Sequence, residues 1–355
     1  MSLETENERP DLRSMYPEEL KTVMAELGEK PFRASQLFAW MHQKLADSYD
    51  AMTNLSAGLR QKLAGRYPLG LPEAVDVQTS EIDGTRKYLF RLFDGDVIES
   101  VWMQYHHGNS VCISSQAGCR MGCRFCASTL DGLSRSLRAS EMLGQIYQIQ
   151  KLTGERVSHV VVMGSGEPLD NYDNLLRFIR LASAPEGLNI SQRNLTVSTC
   201  GLVPEMYRLA EERLQITLAL SLHAASDAKR KEMMPIANRY SLKEVMGACR
   251  NYFEKTGRRI TFEYALAAGQ NDSEADAEDL SRLLSGFPCH VNLIPINPVK
   301  ERKFRRSAKK MVVNFQNKLE KCGINVTIRR EMGGDIDGAC GQLRKRFMDN
   351  QEKNL

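Results

Sequence analysis

The stretch NSVCISSQAGCRMGCRFCAS, Asn109 to Ser128, sets the reading of this chain. Its first half is a short β-rich run, SVCISSQ, of the kind that forms a strand. Its second half places Cys119, Cys123 and Cys126 in a C-x3-C-x2-C spacing. Three thiolates so close together can grip one inorganic centre. A structural zinc site normally closes with four ligands from separated pairs, and no second pair lies nearby. An ordinary ferredoxin-type cluster also takes four cysteines. Three ligands leave one iron of a four-iron cluster open, and an open coordination site is what a reactive centre needs. The plainer alternative is a chance grouping of core cysteines.

Working outward, β-rich runs recur at HVVVMG, NLTVSTCG, QITLALSLH, RITFEYAL and HVNLIPINP, each followed by a longer amphipathic or polar segment. With SVCISSQ they make six βα units, which predict an α/β fold with a parallel sheet, either open and doubly wound or a partial barrel. Upstream, KYLFRLFDGDVIESVWM predicts two strands joined at Asp94-Gly95, a dipeptide that tolerates the positive φ of a tight hairpin. From Asp11 to about Pro68 the pattern is helical. Leu20, Val23, Met24 and Leu27 share one helix face, Gly28 follows as a stop, and Leu37, Phe38, Met41 and Leu45 repeat that face. The expected organisation is a helical accessory domain over 1–70, a β-hairpin or linker segment over 71–109, a core over 110–330, and a C-terminal segment over 331–355.

Bulk composition excludes little. The chain has 355 residues, 42% of them hydrophobic and 26% charged, and 48 basic against 44 acidic residues give a net charge of only +4. The N-terminus MSLETENERPDLRS has acidic residues and no apolar core of a secretory signal. No apolar run approaches the length of a membrane span. The expectation is a cytoplasmic protein with no membrane partner, in which nine cysteines do not form a permanent disulfide framework. Charge is concentrated locally in VKERKFRRSAKK, where Lys300, Arg302, Lys303, Arg305, Arg306, Lys309 and Lys310 follow the last predicted strand. This run reads either as a solvated helix start or as a polyanion contact.

In barrels of βα units the working groups sit at the C-terminal ends of the strands. The notable loops fall there: the cysteine loop, GSGEP, STCG, SLH and NP. Gly164, Gly166, Glu167 and Pro168 let a backbone approach a ligand while one carboxylate accepts from an ammonium group. Ser198, Ser221 and Asn297 offer neutral hydrogen-bonding groups suited to a ribose or a carboxylate. His223 reads as a ligand contact or a satisfied structural histidine, and Met163 as core packing or a ligand contact. Cys340 lies in MGGDIDGACGQL, where Gly333, Gly334, Gly338 and Gly341 predict a loop able to swing a thiol between two positions. Cys200, Cys249, Cys289 and Cys322 read as small structural residues.

The three-cysteine spacing resembles the signature of radical S-adenosylmethionine enzymes. Seven stretches in order, PFRASQLFAWMHQK, NSVCISSQAGCRMGCRFCAS, VVMGSGEPLDNY, TVSTCGLVP, ALSLHA, IPINP and GGDIDGACGQL, extend the resemblance over nearly the whole chain to the RlmN branch of the RlmN/Cfr RNA methyltransferases. The resemblance implies a partial (β/α)6 radical SAM barrel and one [4Fe-4S] cluster on Cys119, Cys123 and Cys126. It also implies two S-adenosyl-L-methionine molecules per turnover, the cofactor lying against Gly166, Glu167, Ser198, Ser221, Leu222, His223 and Asn297. The implied reaction methylates carbon 2 of one adenine of the peptidyl-transferase centre of 23S rRNA, and of the adenine beside the anticodon in certain tRNAs. The implied partners are these RNAs and a one-electron reductant such as flavodoxin or ferredoxin, and the implied state is a monomer.

Carbon 2 of adenine lies between two electron-withdrawing nitrogens, so it does not attack a sulfonium methyl group and needs a radical route. By resemblance Cys340 is first methylated, and a 5′-deoxyadenosyl radical then removes hydrogen from that S-methyl group. The methylene radical adds to the ring. Glu99 takes the ring proton, and Cys112 resolves the protein–RNA adduct through a transient disulfide with Cys340. Two departures from the family pattern stand out, CASTLDGL after the cysteines and Ser165 within GSGEP. The competing readings are a Cfr-like carbon 8 methyltransferase and, in another class, a non-catalytic iron–sulfur or zinc RNA-binding module.

Overall fold

The computed structural model describes residues 11–336 and 341–352, the last four of these by backbone alone. Cys340 lies outside the described residues.

Three helices open the chain, α1 (Pro17–Glu26), α2 (Phe32–His42) and α3 (Ala57–Arg66). Pro17 fits the first turn of α1, where an N–H has no intrahelical partner, and the Ser56 hydroxyl caps α3 by accepting from Leu59 N–H at 3.2 Å. The apolar faces expected from periodicity are buried, with Gly28 ending the first at φ +75°. Leu45 is the exception: it falls past the end of α2 with φ +55° and does not continue that face.

Three antiparallel strands follow, β1 (Glu73–Thr79), β2 (Arg86–Arg91) and β3 (Val97–Tyr105). The β2–β3 turn forms around Asp94 and Gly95, the glycine at φ +90°. β1, EAVDVQT, was not expected, because its side chains are exposed or half-buried and leave no strong alternation to read. β3 pairs antiparallel with β4 (Gly108–Ile113). A small hairpin, β5 (Gln116–Gly118) and β6 (Leu133–Ser136), then brackets the cysteine loop.

After α4 (Ala139–Thr153) the chain alternates: β7 (Val157–Val162), α5 (Tyr172–Ala182), β8 (Leu195–Thr199), α6 (Val203–Glu211), β9 (Thr217–Ser221), α7 (Asp227–Met233), α8 (Leu242–Thr256), β10 (Ile260–Leu266), α9 (Glu274–Leu284), β11 (Cys289–Pro295), α10 (Lys309–Lys321) and β12 (Asn325–Ile328). A last helix, α11 (Gln342–Glu352), ends the described chain. Among the described residues one sheet has the order β1-β2-β3-β4-β7-β8-β9-β10-β11-β12. Every pairing from β4 onward is parallel. The six predicted strands are β4 and β7 to β11. β12 adds to them, its four residues too few to stand out beside α10.

The crossover helices carry ordinary start and stop signals. α8 begins on a Ser241/Glu244 capping box and ends at Gly257, α4 ends at Gly154, and both glycines are left-handed. The main apolar core runs from Leu12 to Val326, so the helical module and the parallel sheet share it, and a small second cluster joins Leu89 and Val97 to Leu343 of α11. Because the strands from β4 onward are parallel, their C-terminal ends meet at one edge. That edge carries the site.

Candidate active site

The cysteine loop is folded against the loop that follows β7. Ser115 and Gln116 N–H both donate to the Ser165 carbonyl, at 2.9 and 3.1 Å. Ser165 N–H donates to Ser114 Oγ at 3.0 Å, and the Ser165 hydroxyl donates to the Gly118 carbonyl at 3.3 Å. Ser165, a departure from the family pattern, is therefore buried in the joint between the two loops. Two glycines make this approach possible. A Cβ on Gly118, at φ +80°, would lie 2.1 Å from the Gly132 carbonyl oxygen, and one on Gly166, at φ +106°, would lie 2.6 Å from Gln116 Cβ.

Cys119, Cys123 and Cys126 border one cavity of about 330 Å³ at the C-terminal edge of the sheet. Thr129 holds their loop closed, its hydroxyl within 3.1 Å of the Cys123 carbonyl and 3.0 Å of the Cys126 carbonyl. Burial pushes the Cys119 thiol up to about 12, and the neighbouring Cys126 and Glu167 push it in the same direction. Cys123 is raised for the same reasons, burial first and its two companion thiols next. Buried, mutually repelling thiolates are relieved by a cationic centre. Among the described residues no three His, Cys, Asp or Glu side chains converge on a single metal ion. A four-iron cluster needs no such convergence, since each thiolate takes a different iron. The donor set fits that group.

Several polar side chains line the same cavity. Glu167 is buried, and its two carboxylate oxygens accept from Cys200 N–H at 2.7 Å and Leu169 N–H at 3.1 Å. Burial raises its pKa, the backbone donors opposing this. Ser198 and Ser221 reach the cavity from β8 and β9 with their hydroxyls 3.4 Å apart. Gly166, Met163 and Asn297 also line it.

His223 sits at φ +58°, and its Nδ1 accepts from Ala265 N–H at 2.9 Å. The proton of the neutral ring is thus on Nε2. Burial, with Arg230 adding to it, lowers the pKa to about 3, and the ring stacks edge-on against Phe125 at 4.8 Å. Leu222 differs from the other expected contacts. Its side chain is in the apolar core, its N–H donates to the Glu263 carbonyl at 3.0 Å, and its carbonyl accepts from Arg230 Nε at 3.2 Å.

Cys112 is on β4 opposite Val101 of β3 and beside Val161 of β7, nearly buried, and lines the same cavity as the three cysteines. Glu99, two residues before Val101 on β3, does not. Its carboxylate pairs with the buried Lys87 ammonium at 3.0 Å and accepts from Gly341 N–H and Arg344 N–H, each at 2.6 Å. It therefore caps the start of α11, directly after Cys340. Gly341 has φ +83°, and a Cβ there would lie 2.5 Å from Ser128 N. The residue following Cys340 is thus wedged against the turn that follows Cys126.

The basic run divides. Arg302 turns inward and donates to Thr129 Oγ1 at 2.8 Å and the Cys126 carbonyl at 3.3 Å. Arg306 pairs with Glu331 at 2.7 Å and lines the cavity. Lys300, Lys303, Arg305, Lys309 and Lys310 stay exposed. Sequence reasoning missed Glu263, Arg329 and Arg330, which also border the cavity. Glu263 had a signal, a charge inside the apolar strand ITFEYAL; its carboxylate accepts from Asn292 Nδ2 at 2.8 Å. No described helix is long and apolar enough to cross a membrane.

Residues 10–67 match the family model for the ribosomal RNA large subunit methyltransferase N-terminal domain, and residues 113–280 match the radical SAM superfamily. A probable dual-specificity RNA methyltransferase RlmN of Lachnospira eligens is 64% identical, covering 97% of this chain and 98% of that one. Its counterpart in Lachnoclostridium phytofermentans is 60% identical over 98% and 99%. The crystal structure of a radical SAM methyltransferase from Sphaerobacter thermophilus superposes with a TM-score of 0.90 at 44% identity, covering 94% of this chain and 98% of that one. Membership of the radical SAM superfamily carries with it a [4Fe-4S] cluster and S-adenosylmethionine. The chain belongs to the RlmN family of radical SAM methyltransferases.

Proposed function

We propose that this enzyme is a dual-specificity RNA methyltransferase that methylates carbon 2 of an adenine in 23S rRNA and in certain tRNAs, using Cys340 as carrier and Cys112 as resolving thiol. Cys119, Cys123 and Cys126 hold the cluster, which when bound with S-adenosylmethionine supplies the one-electron cleavage of a carbon–sulfur bond. Gly166, Glu167, Ser198, Ser221, His223 and Asn297 orient the cofactor, and Leu222 contributes only through the backbone that places its neighbours. Two cofactor molecules are used per turnover. The electron comes from a flavodoxin or ferredoxin, and the protein works as a monomer.

One observation carries this reading: Cys112 shares a cavity with the three cluster cysteines, while the residue next to Cys340 is wedged on the cluster loop. A non-catalytic module has no need for that convergence. Glu99 caps α11, which begins two residues after Cys340 in the sequence. For it to take the ring proton, its carboxylate has to leave the N–H groups of Gly341 and Arg344. The exposed lysines and arginines of the run 300–310 meet the RNA backbone, and the target base leaves its stack to reach the cavity. Lys309 and Lys310, the first two residues of α10, oppose the helix dipole, which argues that they serve a ligand and not the helix.

Nucleoside mass spectrometry after reaction with 23S rRNA fragments and tRNA under oxygen-free, reducing conditions tests the reading. The expected product is 2-methyladenosine from both substrates. An 8-methyladenosine product would establish the Cfr-like alternative instead. Full activity of Cys340→Ala would remove the carrier role.

A further inference from the structure

Arg230, on α7, is 0% exposed. Its guanidinium ties together two loops of the cavity wall, Nη2 donating to the Cys200 carbonyl at 2.7 Å after β8 and Nε to the Leu222 carbonyl at 3.2 Å after β9. Neutral carbonyls satisfy its donors without balancing its charge. Among the described residues its side-chain hydrogen bonds go to carbonyls alone, the Ser221 carbonyl at 3.4 Å being the third, and its Nη1 is buried with no hydrogen-bond partner. The helix that carries it is also tied to the cysteine loop: Arg124 N–H, next to Cys123, donates to the carbonyl of Met233, the last residue of α7, at 2.9 Å. A buried charge with no counter-charge disfavours the folded state.

The site supplies a reason. A doubly positive four-iron core with three thiolates carries one net negative charge, and two once it accepts the single electron that no proton accompanies. The second charge has to be placed in the same dry interior, beside Cys123. A fixed cation there favours the reduced state by direct attraction, little screened by water or salt.

We propose that Arg230 is the counter-charge of the iron–sulfur site, a positioning residue that fastens the β8 and β9 loops and whose unpaired positive charge makes the cluster easier to reduce. This rests on the radical SAM reading of the three cysteines. It assigns Arg230 no contact with the substrate.

The test is a redox titration of the reconstituted full-length protein, unaltered and as Arg230→Gln and Arg230→Lys, following the reduced cluster by electron paramagnetic resonance and counting iron chemically. At a fixed potential the ratio of reduced to oxidised cluster should fall about tenfold in Arg230→Gln, about 59 mV for one electron, and stay within about twofold of the unaltered protein in Arg230→Lys. If Arg230→Gln fails to take up iron, Arg230→Lys decides alone, an unchanged ratio supporting the proposal. An unchanged ratio in an iron-replete Arg230→Gln, or equal losses in both variants, overturns it and leaves a neutral loop staple. Failure of the unaltered protein to assemble a four-iron cluster would instead bring down the underlying reading, and the proposal with it.

Discussion

Two buried arginines mark two different regions of this molecule. Arg13 ties the helical module together, donating to the carbonyls of Met41 at 3.1 Å and Leu69 at 3.0 Å and to that of Ala46. Around it His42 Nδ1 meets the Tyr147 hydroxyl at 2.6 Å, across the joint to α4. None of these residues lines the cavity that the cysteines border. Arg230 makes similar bonds to carbonyls, but its neighbours are Cys123 and Cys200 and the wall of the cavity. Burial of polar groups is common to both regions. What separates structure from chemistry is whether those groups converge on open space beside reactive sulfur.

The sharpest way to break the comparison is to disable each region and ask which property fails. Cys123→Ala should abolish the cluster chromophore and reduce methyl transfer to background, with the thermal midpoint of the apoprotein barely moved; retained activity in an iron-free protein would contradict the site. Gly341→Ala forces a side chain into Ser128 at a left-handed position. With about 1–3 kcal/mol of strain, methyl transfer should fall roughly 10- to 100-fold while iron content stays full, measured by single-turnover kinetics.

Arg13→Met should do the opposite. Loss of several buried hydrogen bonds lowers stability by about 2–4 kcal/mol, read by denaturant unfolding, and the iron–sulfur spectrum of the folded fraction is unchanged. The smallest effect concerns pH. His42 is buried and held neutral, its pKa lowered to about 3 by burial and then by Arg13. Above its unfolded value near 6.5 the histidine is neutral in both states and contributes no pH dependence. Below it the unfolded chain binds a proton that the folded chain refuses, so stability falls with acidity by about 1.4 kcal/mol per pH unit. His42→Gln should flatten that slope between about pH 6.5 and 5, and an unchanged slope would show that another group dominates.

The same division governs what was legible in the sequence. Strands β4 and β7 to β11 are short apolar-rich runs between polar segments, and the loops after them carry the Cys, Gly, Ser and His that chemistry requires, so both stand out. β1 and β12 do not, being edge strands whose stability comes from pairing. Arg302 reads as one more cation in a basic run, and only the folded chain turns it onto the Cys126 carbonyl. Glu99 reads as a strand residue whose role came from resemblance; its contacts to Gly341 and Arg344 span more than 240 positions and leave no local trace. Leu222 reads with its polar neighbours, yet just past the end of β9 its side chain is buried in the core.

The central claim is that a cavity shared by the cluster cysteines and Cys112 is where RNA is joined to this chain and released from it. The direct test is to incubate iron-loaded Cys112→Ala with S-adenosylmethionine, a reductant and an RNA fragment, then resolve the mixture under denaturing, thiol-containing conditions. The account predicts a covalent protein–RNA adduct that accumulates with no free methylated RNA, and release of fully methylated RNA at the unaltered rate would contradict it.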